Sequence, residues 1–311
     1  MLLHDYLQRL ADTSQPFKTS SLIQLSNLPA EQRDEFSAGW RRLPRIRRLE
    51  VLENMIELAE DNVELNFDLI FFVALEDEDA SVRLYAVRGL WEYERRDLVP
   101  LLVAMLKDDP DNLVRAEAAL ALGRFMLMAE MGNLPERYFQ MADQALRKVL
   151  ENKQEPEEVR ARSLEAAAAS SASPWVRQSI TEAYESGARR LKVSALHAMG
   201  RSCDERWLPL VYRELSNDDP EIRYEATVAC GAIGEEESVS RLEPLLTDQD
   251  VEVRSVAIAA LGEIGGGQAR SLLLSLLKDG SPEVREAAVE ALAELDFAED
   301  PLGFRMRPNE G

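Results

Sequence analysis

Carboxylates gathered beside an arginine and a thiol are the residue types that hold metal ions, move protons or attack electrophiles. The stretch DDPEIRYEATVACGAIG, from Asp218 to Gly234, carries Asp218, Asp219, Glu221 and Glu225 together with Arg223 and Cys230. The same residues also fit a helix start. Asp219 stands where an N-cap belongs, Pro220 at the first helical position and Glu221 in the first turn, where an acid meets the positive end of the helix dipole. An acid that caps a helix is engaged with backbone N–H groups, and the spacing is not that of an EF-hand loop. The stretch therefore reads as architecture.

Other chemistry finds little material. The histidines are His4 and His197, and one imidazole without a second ligand does not make a metal site. His197 has no serine or cysteine positioned for it to activate. Cys203 and Cys230 form no CxxC and no disulfide framework, so a reducing cytoplasm is the expected setting. Cys230 shares its register with Leu122, Leu261 and Leu292 and reads as an inert core thiol. No catalytic, cofactor-binding or metal-binding residue is assigned, and the chain is expected not to be an enzyme.

The elements behind these residues repeat. IRYEATVACG (from Ile222) is followed after equal intervals by VRSVAIAALG (from Val253) and VREAAVEALA (from Val284). Upstream lie LKVSALHAMG (Leu191), VRARSLEAAA (Val159), VRAEAALALG (Val114), VRLYAVRGLW (Val82) and the weaker IRRLEVLENM (Ile46). Between the blocks run second amphipathic patterns such as DLVPLLVAMLKD and ARSLLLSLLKD, with leucines three and four residues apart. Helix, tight turn and helix, stacked in series, bury a continuous core that no single unit could form.

The D-x-x-V-R-x-x-A-x-x-A-L-G blocks resemble the HEAT repeat, particularly the short HEAT-like form associated with phycobilisome bilin lyases, over residues 44–296. The resemblance implies an all-α fold, an α-solenoid (a HEAT/armadillo-like superhelix) of about eight stacked helical pairs. It also implies a ladder in which the repeated Arg83, Arg115, Arg160, Arg223, Arg254 and Arg285 pair with turn acids of neighbouring repeats. Where the arginine becomes Lys192, the turn YESGARRLK lacks the aspartate too, as a coupled pair would. HEAT-like deoxyhypusine hydroxylases hold di-iron with repeated His-Glu pairs; here His4 precedes Asp5 and His197 precedes Ala198, so that activity is set aside.

Counting from the Val of each VR, registers zero, four, five, seven and eight are apolar or small and face the core. Glycine recurs at register nine (Gly123, Gly200, Gly231, Gly262), as close helix approach requires, and Trp91 at that register is expected to fill a wider gap. Registers two, three, six and ten escape the core. In HEAT solenoids the second helix of each pair lines the concave face, so Tyr85, Arg88, Leu120, Arg124, His197, Arg201, Tyr224 and Val228 become the candidate partner-binding groove. Arginine and aromatic side chains there are typical interface anchors.

The 311 residues carry a formal charge of −21 with 46% hydrophobic content. That charge disfavours a phosphate-gripping role on nucleic acid or docking on an anionic membrane. No apolar run is long enough to span a bilayer, and the start, MLLHDYLQRL, does not read as a secretion signal. The basic run RRLPRIRR, Arg41 to Arg48, either holds an acidic partner or pairs with Glu50, Glu53 and the EDED turn. Residues 1–43 are expected to cap the solenoid, residues 124–150 to hold an insertion whose methionines fill core, and residues 297–311 to form a flexible tail. The function expected is a non-enzymatic scaffold or adaptor whose groove takes a protein partner with a basic or mixed-charge surface. The alternative is a HEAT-like chaperone or lyase-type protein that handles a cofactor.

Overall fold

The computed structural model describes residues 2–14, 18–170 and 173–299, and every regular element among them is helical. Helix α1 (Leu3–Ala11) precedes eight successive pairs. They are α2 (Arg33–Trp40) with α3 (Arg45–Asp61), α4 (Asp68–Ala74) with α5 (Ala80–Gly89), α6 (Leu98–Asp108) with α7 (Asn112–Glu130), and α8 (Glu136–Glu151) with α9 (Glu157–Ala167). Next come α10 (Pro174–Glu185) with α11 (Arg189–Arg201) and α12 (Leu208–Glu214) with α13 (Pro220–Ile233). The last are α14 (Val239–Leu242) with α15 (Val251–Ile264) and α16 (Gly266–Leu276) with α17 (Pro282–Glu299). This is an all-α solenoid. No helix among the described residues is long and apolar enough to cross a membrane.

The chain forms two compact units, 1–166 and 167–311, divided inside the small-residue stretch EAAAASSASP. In the first unit α3, α5 and α7 pack in succession, and Trp40, Phe36, Phe71 and Phe125 are fully buried. In the second unit α11, α13, α15 and α17 do the same over Leu196, Cys230, Leu261 and Leu273.

The second helices α5, α7, α13 and α15 start on capped turns. The side chains of Asp79, Asp111, Asp219 and Asp250 accept hydrogen bonds from backbone N–H groups two or three residues on. In the same turns an earlier residue (Asp77, Asp109, Asn217, Asp248) accepts the N–H of the capping residue. The first acid also receives the arginine of the preceding repeat. Arg83 grips Asp109 with two bonds of 2.8 Å, and Arg223 grips Asp248 at 2.8 and 2.7 Å. Arg115 meets Glu155 at 2.5 Å, and Arg48 meets Asp77 at 2.6 Å. The other guanidinium nitrogen turns back onto the arginine's own turn: Arg223 Nη1 donates to the carbonyls of Asn217 and Asp218. One side chain thus ties two successive turns.

The ladder runs forward, which corrects the reading of Lys192. Its partner slot lies in the following turn, where Asn217 replaces aspartate, and Lys192 reaches the buried Glu214 at 3.4 Å instead. Arg160, the ladder arginine before this turn, has its Nε buried without a hydrogen-bond partner among the described residues.

Register nine works by contact. A Cβ placed on Gly200 would lie 2.9 Å from Ala229 Cα, and one on Gly262 would lie 2.9 Å from the Ala291 carbonyl oxygen. Gly123 and Gly231 face Ala166 and Ala260 in the same way. A glycine at register nine therefore seats the register-seven alanine of the next repeat.

Several expectations fail here. Trp91 fills no gap: α5 ends at Gly89, and Trp91 is 50% exposed. Of the methionines in the insertion only Met126 is fully buried, whereas Met131 and Met141 are exposed. For the basic run the expected pairing with nearby acids holds, with Arg45 on Asp79, Arg47 on Glu50 and the Asp12 carbonyl, and Arg48 on Asp77 and Glu78. Helix α17 continues through Glu299, beyond the expected start of the tail, and residues 300–311 lie outside the described residues.

Candidate protein-binding face

The eight expected groove residues divide between the units, with Tyr85, Arg88, Leu120 and Arg124 in the first and His197, Arg201, Tyr224 and Val228 in the second. None belongs to the deep core. Arg88, Leu120 and Arg201 are exposed, while Tyr85, Arg124, His197, Tyr224 and Val228 are half-buried.

Register six of one second helix meets register three of the next. Arg88 on α5 donates to Glu117 on α7 at 3.0 Å, and His197 Nδ1 on α11 lies 3.5 Å from Glu225 on α13. Glu117 and Glu225 are the less exposed members of these pairs. Arg88 thereby partly neutralises Glu117. Arg201 has no ion-pair partner among the described residues.

Arg124 differs from the other columns. Its Nη1 donates to the Trp91 carbonyl, and its guanidinium lies 5.0 Å from the Phe125 ring centre. Its Nε and Nη2 are buried with no hydrogen-bond partner among the described residues. Burial pushes the Arg124 pKa down to about 10, against a smaller opposing pull from the Glu94 charge. At neutral pH the group is still a cation. An unsatisfied buried donor costs about 1–3 kcal/mol, more when charged.

Around it the surface is apolar. Leu120, Arg124, Leu127 and Met131 follow at intervals of four, three and four along α7 and so share one face. Leu120 is 38% exposed, Leu127 41% and Met131 66%, and Trp91 adjoins through the Arg124 bond. Leu127, Met131 and Trp91 were not among the expected contacts. Leu127 and Met131 lie beyond the last register of the repeat, because α7 runs to Glu130 while α13 ends fourteen residues from its start. The amphipathic period continued past register ten was the signal for them.

Burial pushes the Cys230 thiol up to about 12, so it stays protonated, and Cys203 is exposed at a left-handed turn residue with φ of 48°. Among the described residues no group of three or more His, Cys, Asp and Glu side chains is placed to hold a metal ion.

Comparison with known proteins matches this geometry at the level of the repeat. The family model described as HEAT repeats matches residues 70–168, 178–252 and 240–302, more than half of the chain. No curated protein matches it in sequence. Among solved structures, Escherichia coli YibA is 20% identical with a TM-score of 0.50, covering 82% of this chain and 92% of its own. The CpcE–CpcF complex of phycocyanin lyase from Nostoc is 20% identical with a TM-score of 0.48, over 74% and 93%. Human deoxyhypusine hydroxylase is 18% identical with a TM-score of 0.37, over 89% and 98%. At these identities the likeness to solved structures is one of fold. With three family matches, the capped two-aspartate turns and the arginine ladder, the chain belongs to the HEAT-repeat family.

Proposed function

We propose that the chain is a non-enzymatic adaptor that captures a protein partner on its second helices, with the face of α7 as the anchor in the first unit. The observation that carries this reading is Arg124, a half-buried cation whose Nε and Nη2 are buried and unsatisfied, set among exposed Trp91, Leu120, Leu127 and Met131. Apolar anchors around one desolvated charge are the make-up of an interface hot spot, where a few residues supply most of the affinity. A partner that offers apolar side chains around a carboxylate would satisfy the Arg124 donors, after a small shift of the guanidinium. Exposed Arg88 and Arg201 favour acidic groups on that partner, and the acidic remainder of the surface favours basic ones around them. The partner expected is therefore one of mixed charge.

A photo-reactive residue at Leu127 tests this directly. It should cross-link one defined protein in native extract, the yield should fall severalfold in the Arg124→Glu variant, and a probe at Ser240 should not trap that protein. Equal yields from both probes, or a yield unchanged by Arg124→Glu with helicity retained, would remove the α7 face from the reading.

A further inference from the structure

A cavity of the first unit lies away from the second helices. Helices α4 and α6, the first helices of successive pairs, leave between them a space of about 750 Å³ that the segment around Leu28–Arg33 closes on one side. That volume is within the range of ligand sites, about 300–1,000 Å³. Its floor comes from Leu69 and Phe72 on α4 and Leu101 and Met105 on α6. These lie three and four residues apart, so each helix offers one apolar face to the gap. Leu101 is 44% exposed, a large apolar side chain left open to water.

The rim is acidic. Asp68, Glu76 and Asp97 line it together with Arg33 and Arg95. Arg33 is already held by Glu76 at 3.3 Å and Arg95 by Asp97 at 3.3 Å. Asp68 accepts from the Asn66 amide at 2.7 Å and has no Lys or Arg partner among the described residues. Tyr93 stands edge-on to Phe72, with ring centres 4.9 Å apart, and donates its hydroxyl to Asp97 at 3.0 Å. Burial, the bond to Asp97 and the negative charges of Asp97 and Asp68 push the Tyr93 phenol up to about 12, so at neutral pH it remains a neutral donor. An anionic ligand would meet two arginines that are already paired and three carboxylates. A cation would meet the free carboxylate and aromatic rings, the surroundings that favour lysine and arginine.

We propose that this groove is a second docking site, which takes an amphipathic basic helix whose aliphatic face lies on Leu69, Phe72, Leu101 and Met105 and whose lysine or arginine meets Asp68. A helix laid in an apolar groove between two helices is a recurrent recognition mode, and here charge complementarity selects its sign. The site is separate from the α7 face, so either can stand without the other.

The test uses the full chain labelled with carbon-13 on its methionine methyls, titrated with an amphipathic leucine–lysine peptide of about four helical turns. A leucine–glutamate peptide of the same pattern serves as the comparison. The Met105 methyl signal should move and saturate with the lysine peptide, while those of buried Met55 and Met199 stay in place. Leu101→Glu should abolish the shift, and Asp68→Asn should weaken binding about tenfold, a change of one decade in Kd, with helicity unchanged in both. Three results would overturn the proposal: a silent Met105 methyl, equal binding of the two peptides, or movement of the Met131 signal alone, which would place the peptide on α7.

Discussion

Replacing Asp248 by alanine removes the acid that ties α13 to the following turn. Asp248 accepts two bonds from Arg223, at 2.8 and 2.7 Å, and one from the Asp250 N–H at 2.8 Å, and both charged side chains are nearly buried. Breaking one partner of a buried ion pair typically costs about 3–5 kcal/mol, because the other charge is left uncompensated. Arg223 keeps two carbonyl acceptors, Asn217 and Asp218, which places Asp248→Ala near the lower end, about 3 kcal/mol. Asp248, Arg223 and the double alanine variant form a cycle whose coupling should be about 1–3 kcal/mol. The assay is urea unfolding followed by the emission of Trp207, a buried residue of the same unit. Acid supplies a second reading. The Arg223 bond holds the Asp248 carboxyl below the usual carboxylate range. Its contribution is therefore present above the unfolded pKa of about 3.9 and is lost as pH falls through the lower folded value. The stability difference between wild type and variant should shrink under acid conditions. A coupling below about 0.5 kcal/mol, the level at which independent sites add, would refute the ladder as a working tie.

Other perturbations follow from the same geometry. Gly262→Val puts a branched side chain against the Ala291 backbone, 2.9–3.1 Å from a first added carbon, and should destabilise by about 1–3 kcal/mol in thermal unfolding; Gly267→Ala meets nothing within 4 Å and should stay close to neutral. A thiol reagent at pH 8 should modify Cys203 in the folded protein and reach Cys230 only in denaturant, because burial holds the latter protonated; rapid modification of both in the native state would contradict that burial. Asp219→Ala should lower stability by about 1 kcal/mol through loss of the α13 N-cap, and Asp219→Asn should recover most of it, as read from the urea midpoint.

Much of the fold was legible because the repeat writes its own alignment. The Asp–Pro–Glu grammar located the start of α13, and glycine at register nine anticipated the contact of Gly200 with Ala229 and of Gly262 with Ala291. The direction of the ladder was not legible, since spacing alone cannot say whether Lys192 looks to the turn before it or the turn after. Trp91 was misjudged because the register carried past Gly89, where the helix itself stops. The face of α7 was half visible. Leu120 and Arg124 fall within the repeat, but Leu127 and Met131 depend on a continuation of the helix past register ten that the shorter α13 and α15 lack. The cavity between α4 and α6 was invisible, because it depends on how far apart two non-adjacent helices stand, and residue spacing along the chain does not carry that distance.

The central claim is that the second-helix face around Arg124 captures a protein. Its most direct measurement is the dissociation constant of the protein trapped from Leu127, compared between wild type and Leu127→Asp. Leu127 is exposed, so the change should leave the melting temperature within about a degree or two, as surface substitutions do. The account predicts at least a tenfold loss of affinity, the size of a single hot-spot residue. An unchanged dissociation constant with an intact fold would contradict it.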